Sequence, residues 1–144
     1  MKRRMTAEIR MNTSTVTVID FAGRDLARPE CVLATASGRL YTSDRRGGVQ
    51  VIEPDGSQRL IGTSPALLPH GIALLRDGSF LIANLGPDGG IWRIRPDGQT
   101  APYLLEVDGC RLPRINYVSV DHHERVWACV SLCERDGRRR PLPD

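Results

Sequence analysis

The chain has 144 residues, enough for one domain with its own core, and its 14 Gly, 10 Pro and sparse aromatics suit a turn-rich all-β protein. The net charge of +3 resides in Lys2, Arg3, Arg4 and Arg10 against Glu8, so residues 11–144 are neutral overall and a broad nucleic-acid footprint on the folded part is excluded. No apolar run is long enough for a helical membrane span. No apolar segment follows the basic start, so no export signal is expected; Met11 is a second candidate initiator.

In chain order, residues 1–14 are expected to form a flexible N-terminal segment. Residues 15–21 (Thr-Val-Thr-Val-Ile-Asp-Phe) alternate in the manner of a strand. A tract of some forty residues then occurs twice, with a worn third copy behind it. Copy one opens on Pro29-Glu30-Cys31-Val32 and copy two on Pro69-His70-Gly71-Ile72. Nine residues after each Pro stands a Gly, Gly38 or Gly78, where a turn leads into an apolar second strand over 39–43 or 79–83. The pairs Gly47-Gly48 and Gly89-Gly90 precede a third strand over 49–53 or 91–95. Pro54-Asp55-Gly56 and Pro96-Asp97-Gly98 then make tight turns into a fourth strand over 58–61 or 101–105. Copy three opens on Ile115-Asn116-Tyr117-Val118 and keeps the nine-residue offset, with Glu124 in place of Gly, before Val126-Trp127-Ala128-Cys129-Val130.

A period of about forty residues built of short strands and turns marks the blades of a β-propeller. The pattern predicts a partial propeller over 15–133, with blades near 28–65, 66–108 and 112–133, and a polar loop or tail over 134–144. Two and a half to three blades do not close a ring. Strand 15–21 resembles the N-terminal strand with which many propellers close on their last blade, and no partner blade for it is expected within these 144 residues. Arg138-Arg139-Arg140 read as a solvated loop.

Four cysteines, at 31, 110, 129 and 133, are expected to be reduced thiols in a cytoplasmic protein. Cys129 and Cys133 below His122 and His123 have poor spacing for a zinc centre, and Cys129 reads as a small core residue of a strand.

The motifs Arg28-Pro29-Glu30, Leu68-Pro69-His70-Gly71-Ile72-Ala73-Leu74 and Arg114-Ile115-Asn116-Tyr117-Val118, supported by Gly38-Arg39-Leu40-Tyr41-Thr42-Ser43-Asp44 and the Pro-Asp-Gly turns, resemble the senescence marker protein / gluconolactonase / luciferin-regenerating-enzyme family of six-bladed propellers. The resemblance covers roughly residues 28–131. It implies one divalent cation, calcium or zinc, at the mouth of the central channel. Glu30 is carried over as the carboxylate ligand and Asn116 as an amide ligand. His70, Asn84 and Tyr117 are carried over as groups that touch substrate or support the ligands, with structural roles as the other reading of each. Asp44 reads as a turn former. Where relatives follow the Asn with Asp, this chain has Tyr117.

The activity implied is metal-dependent hydrolysis of a lactone or other ester, with the general base expected beyond residue 144 and the isolated chain inactive. A small-molecule ester is the expected partner, with neither nucleic acid nor membrane. Self-association through open sheet edges is a further expectation. The alternative is a non-catalytic propeller serving as a ligand- or protein-binding module.

Overall fold

The computed structural model describes residues 21–130, 133–135 and 138–140. The expected flexible segment 1–14, and strand 15–21 apart from Phe21, lie outside the described residues. Phe21 itself is in no strand and is almost fully exposed. Every regular element among the described residues is a strand, and no helix there is long and apolar enough to cross a membrane.

Blade one is the antiparallel meander β1 (Val32–Ala34), β2 (Leu40–Asp44), β3 (Gly48–Ile52) and β4 (Gln58–Ile61). Blade two repeats it with β5 (Pro69–Leu74), β6 (Phe80–Asn84), β7 (Ile91–Ile94) and β8 (Thr100–Leu104). Between the blades' turns and their strand starts the registers match: Ala34 faces Leu40 in blade one, as Leu74 faces Phe80 in blade two. The pair β11 (Tyr117–Val120) and β12 (Val126–Cys129) is the inner half of blade three. The chain is thus all-β, with the architecture of a partial propeller.

The C-terminal stretch departs from the sequence reading. A hairpin, β9 (Glu106–Val107) and β10 (Cys110–Arg111), stands between blades two and three. It pairs with a second hairpin, β13 (Cys133–Arg135) and β14 (Arg138–Arg140), in a separate sheet ordered β14-β13-β10-β9. Part of the segment read as a polar tail is therefore strand. The pattern hid it because two-residue strands show no alternation and the later pair is written in charged residues.

The core lies between the blades, in two layers that share blade two. Along β6, Phe80 and Ile82 point toward blade one, where they join Tyr41, Val49, Val51 and Ile61. Leu81 and Ala83 point the other way and pack with Leu112, Ile115 and Val118 of the blade-three side. Alternate residues of a strand face opposite sides of its sheet, so a strand buried on both faces must be apolar throughout, as β6 is up to Ala83. Tyr41 meets Phe80 edge-on, with ring centroids 5.1 Å apart. Among the described residues, blade three has one covered face. Tyr117, Trp127 and Cys129 occupy its other face and are exposed.

The cysteine expectations are revised accordingly. Cys129 is an exposed free thiol on that outer face, because the register of β12 turns Ala128, not Cys129, to the side of Val118. Cys31 is free and half-buried, whereas Cys110 is disulfide-bonded, against the reduced state expected of all the thiols.

Candidate functional site

Each blade's first strand runs from one end of the molecule to the turn that carries Gly38, Gly78 or Glu124. The opposite end is where those strands begin. There the repeat places one residue per blade at the same position: Glu30 in blade one, His70 in blade two and Asn116 in blade three. The three converge. His70 Nδ1 lies 2.7 Å from the Asn116 backbone oxygen. His70 Nε2 lies 3.7 Å from Glu30 Oε2, and both side chains are about a quarter to a third exposed. A carbonyl can only accept, so Nδ1 carries the proton of that hydrogen bond, which fixes the tautomer of the uncharged ring and turns the Nε2 lone pair toward Glu30.

Close backbone approach makes this possible. The Gly71 N–H donates to the same Asn116 oxygen at 2.9 Å. A Cβ at Gly71 would stand 2.7 Å from Tyr117 Cα and 2.9 Å from Asn116 O, so only glycine lets β5 and β11 come this near. Asn116 therefore enters the site through its main chain, and the exposed Tyr117 lies against Gly71.

Two participants escaped the sequence reading. Arg28 Nε donates to Glu30 Oε1 at 2.6 Å, and Arg28 sits at φ 55°, a left-handed conformation that non-glycine residues seldom adopt. The buried Ser43 Oγ accepts from the N–H groups of both Glu30 (3.1 Å) and Cys31 (3.2 Å), fixing the start of β1. Arg28 stands within the Arg28-Pro29-Glu30 motif, but nothing in that motif announces the ion pair. Ser43 reads simply as a strand residue.

Asn84 belongs to a different task. It is fully buried, and its amide is spent on the loops around it. Oδ1 accepts from Leu68 N (2.9 Å) and Gly86 N (2.8 Å), and Nδ2 donates to Gly89 O (3.2 Å). Asp44 does the corresponding work in blade one, accepting from Ala27 N at 3.2 Å and Arg46 N at 2.9 Å. Burial pushes the Asp44 carboxyl up, but the Arg46 guanidinium and the two N–H groups outweigh it and hold the group below the usual carboxylate range. Both residues tie the end of strand two to the chain that enters the blade, and so hold the site residues from beneath.

As a cation site the cluster is partial. Glu30 Oε2 and His70 Nε2 are one carboxylate and one imidazole donor at a separation that two ligands of one ion can have. Among the described residues, however, no group of three or more His, Cys, Asp or Glu side chains is placed to hold a metal. Oε1 of Glu30 is also already neutralised by Arg28. His122 and His123 stack on each other at the turn end, with centroids 3.8 Å apart, away from this cluster.

No family model matches the chain, and no curated protein matches it. Solved structures do. A streptogramin B lyase superposes with a TM-score of 0.61 at 16% identity, over 81% of this chain and 41% of that one. A gluconolactonase from Xanthomonas campestris gives 0.57 at 23% identity, over 67% and 32%. A catalytically inactive virginiamycin B lyase from Staphylococcus aureus, solved with quinupristin, gives 0.59 at 15%, over 83% and 43%. At these identities the likeness is one of fold. The chain spans between 32% and 43% of the length of these three neighbours.

Proposed function

We propose that this chain carries part of the active site of a metal-dependent hydrolase that opens cyclic esters, of the sugar-lactone lactonase kind. The observation that carries the reading is the convergence of Glu30, His70 and Asn116 from the same position of three successive blades. A gluconolactonase among the structural neighbours supports it at the level of fold.

The residues divide the work as follows. Asn116 O holds the imidazole by its Nδ1–H, leaving His70 Nε2 to take a proton from a water molecule. Glu30 Oε2, 3.7 Å from that nitrogen, accepts the water's other hydrogen and favours the positive charge that develops on the ring. The water oxygen attacks the lactone carbonyl, the ring C–O bond breaks, and the proton returns to the departing alkoxide to give a hydroxy acid. A divalent cation, calcium or zinc, held by Glu30 with further ligands would polarise the carbonyl.

The test is hydrolysis of a δ-lactone by the protein with and without added calcium or zinc. His70→Gln and Glu30→Gln are each expected to lower kcat by about 100-fold or more. A lactonase built on this chain that tolerates both changes, or a chain that binds neither calcium nor zinc, would refute the reading. A second reading, a non-catalytic propeller that binds a ligand or protein, is favoured by one contact: Arg28 already neutralises Glu30. Under that reading Arg28→Gln leaves the protein inactive on lactones; under the first it frees the carboxylate and raises cation affinity.

A further inference from the structure

Cys110 is disulfide-bonded, and it stands in β10, the strand that pairs with β13. Cys31 and Cys129 are free thiols. The chain's fourth and last cysteine is Cys133, the first residue of β13. Arg111 faces Glu134 across the two strands. The residues that precede them, Cys110 and Cys133, therefore fall on the same face of the sheet, on either side of that pair. Cys133 is thus the cysteine left to bond Cys110, and it stands on the strand beside it.

Little besides a covalent bond holds the C-terminal hairpin to β10. The strands β10 and β13 share a single registered pair, and β9 and β10 share two. Strands this short are marginal without a packed apolar face. Val107 of β9 is exposed, and neither β9 nor β10 contributes to the two core layers. The sequences of β13 and β14 are Cys-Glu-Arg and Arg-Arg-Arg, and their register sets Arg135 opposite Arg138, like charges that favour separation. Blade three is anchored differently. The segment that enters β11 is tied to blade two by Leu112 N to Leu105 O (2.8 Å), Gly90 N to Pro113 O (2.9 Å) and Ile115 N to Asn84 O (3.1 Å). Leu112 and Ile115 are also buried in the second core layer. A bond from Cys110 to Cys133 closes a loop that contains β11 and β12, yet those strands do not depend on it for their seat.

We propose that a Cys110–Cys133 disulfide is a redox latch. Oxidised, it holds the C-terminal hairpin against β10; reduced, it releases that hairpin and leaves blade three folded. Reduction by a dithiol delivers two electrons. One thiolate of the reagent attacks a sulfur of the bond, and the other cysteine departs as a thiolate and takes up a proton. The reagent's second thiolate then closes the reagent's own disulfide and frees the first cysteine. Glutathione disulfide restores the bond by two exchanges, each of which releases one glutathione thiol. The test begins with the chain oxidised by glutathione disulfide, alkylated without reduction, digested and mapped by mass spectrometry. No Lys or Arg separates Cys129 from Cys133, so Cys129→Ser is mapped beside the wild type. A peptide linked through Cys110 and Cys133 is expected from both chains. After reduction of the wild type by dithiothreitol, amide hydrogen exchange at 110–111 and 133–135 should rise at least about tenfold, while β11 and β12 change less than about twofold. Reoxidation should restore the protection. The proposal is overturned if Cys110 is alkylated in the oxidised chain or is linked to Cys31 or Cys129. It is equally overturned if reduction leaves exchange at 110–111 unchanged, or strips protection from β11 and β12 as well.

Discussion

Glu124 carries a conformational cost that its counterparts avoid. It, Gly38 and Gly78 all close the first turn of a blade with positive φ (64°, 81° and 80°) and donate to the carbonyl three residues back. A side chain in that conformation costs about 1–2 kcal/mol, whereas an exposed pair such as Arg76–Glu124 returns about 0–1 kcal/mol. Glu124→Gly is accordingly expected to stabilise the chain by about 1 kcal/mol in urea unfolding; destabilisation would show that the Arg76 contact is the stronger effect. Asp44 gives a prediction in pH. Its carboxyl is held below the usual range in the folded chain, so the stability it contributes is present above the unfolded-state value and drains away as pH falls through the lower, folded-state value. In blade two Asn84 makes the same loop contacts without a charge. Asp44→Asn should therefore cost about 1–2 kcal/mol at neutral pH and flatten the acid limb of the stability curve. An unchanged acid limb in pH-dependent denaturation would rule this out.

Two strands decide how the blades meet. β6 serves both core layers, so Ile82→Ala and Leu81→Ala, which face opposite blades, should each cost about 2–5 kcal/mol in chemical unfolding. A residue buried on one side only would not be matched in this way by its neighbour. β5 sets the approach to blade three. Gly71→Ala has no space for its methyl group and should cost about 1–3 kcal/mol, while also parting His70 from Asn116. NMR of the His70 ring should then lose the signature of an Nδ1 proton held in a hydrogen bond, and its retention would contradict the geometry. At this scale the sequence was readable where turns dictate structure. Gly38, Gly78, Pro54 and Pro96 announce their turns because few other residues fit them, and Glu124 betrays the third copy by its offset alone. The β9–β10 and β13–β14 hairpins carry their own turn signals, Asp108-Gly109 and Asp136-Gly137, but these stand outside the repeat offset and between strands too short to show an alternating face.

For the molecule as a whole, two core layers joined through one sheet imply a single cooperative unit. Trp92 packs against the first layer and Trp127 lies on blade three. Unfolding followed through each, with the other tryptophan replaced by Phe, should give coincident midpoints; separate transitions would mean that blade three melts alone. The propeller architecture was legible because the repeat itself carries it, whereas Glu30, His70 and Asn116 were picked out through the family resemblance and their approach to one another emerges only from the fold. Arg28 and Ser43 were not legible, since an ion pair two residues along the chain and a hydroxyl under a strand start depend on how the backbone bends there, as does the turning of Asn84 away from the site into its loops. The Asn116 carbonyl deserves a last consequence. It accepts both the Gly71 N–H and the His70 ring proton, so the link between two blades and the aim of the imidazole hang on the same oxygen atom. Any force, pressure or solvent that widens the gap there disarms the imidazole while each sheet is still whole. The His70 ring is thus a built-in gauge of blade spacing, readable by NMR before any strand is lost.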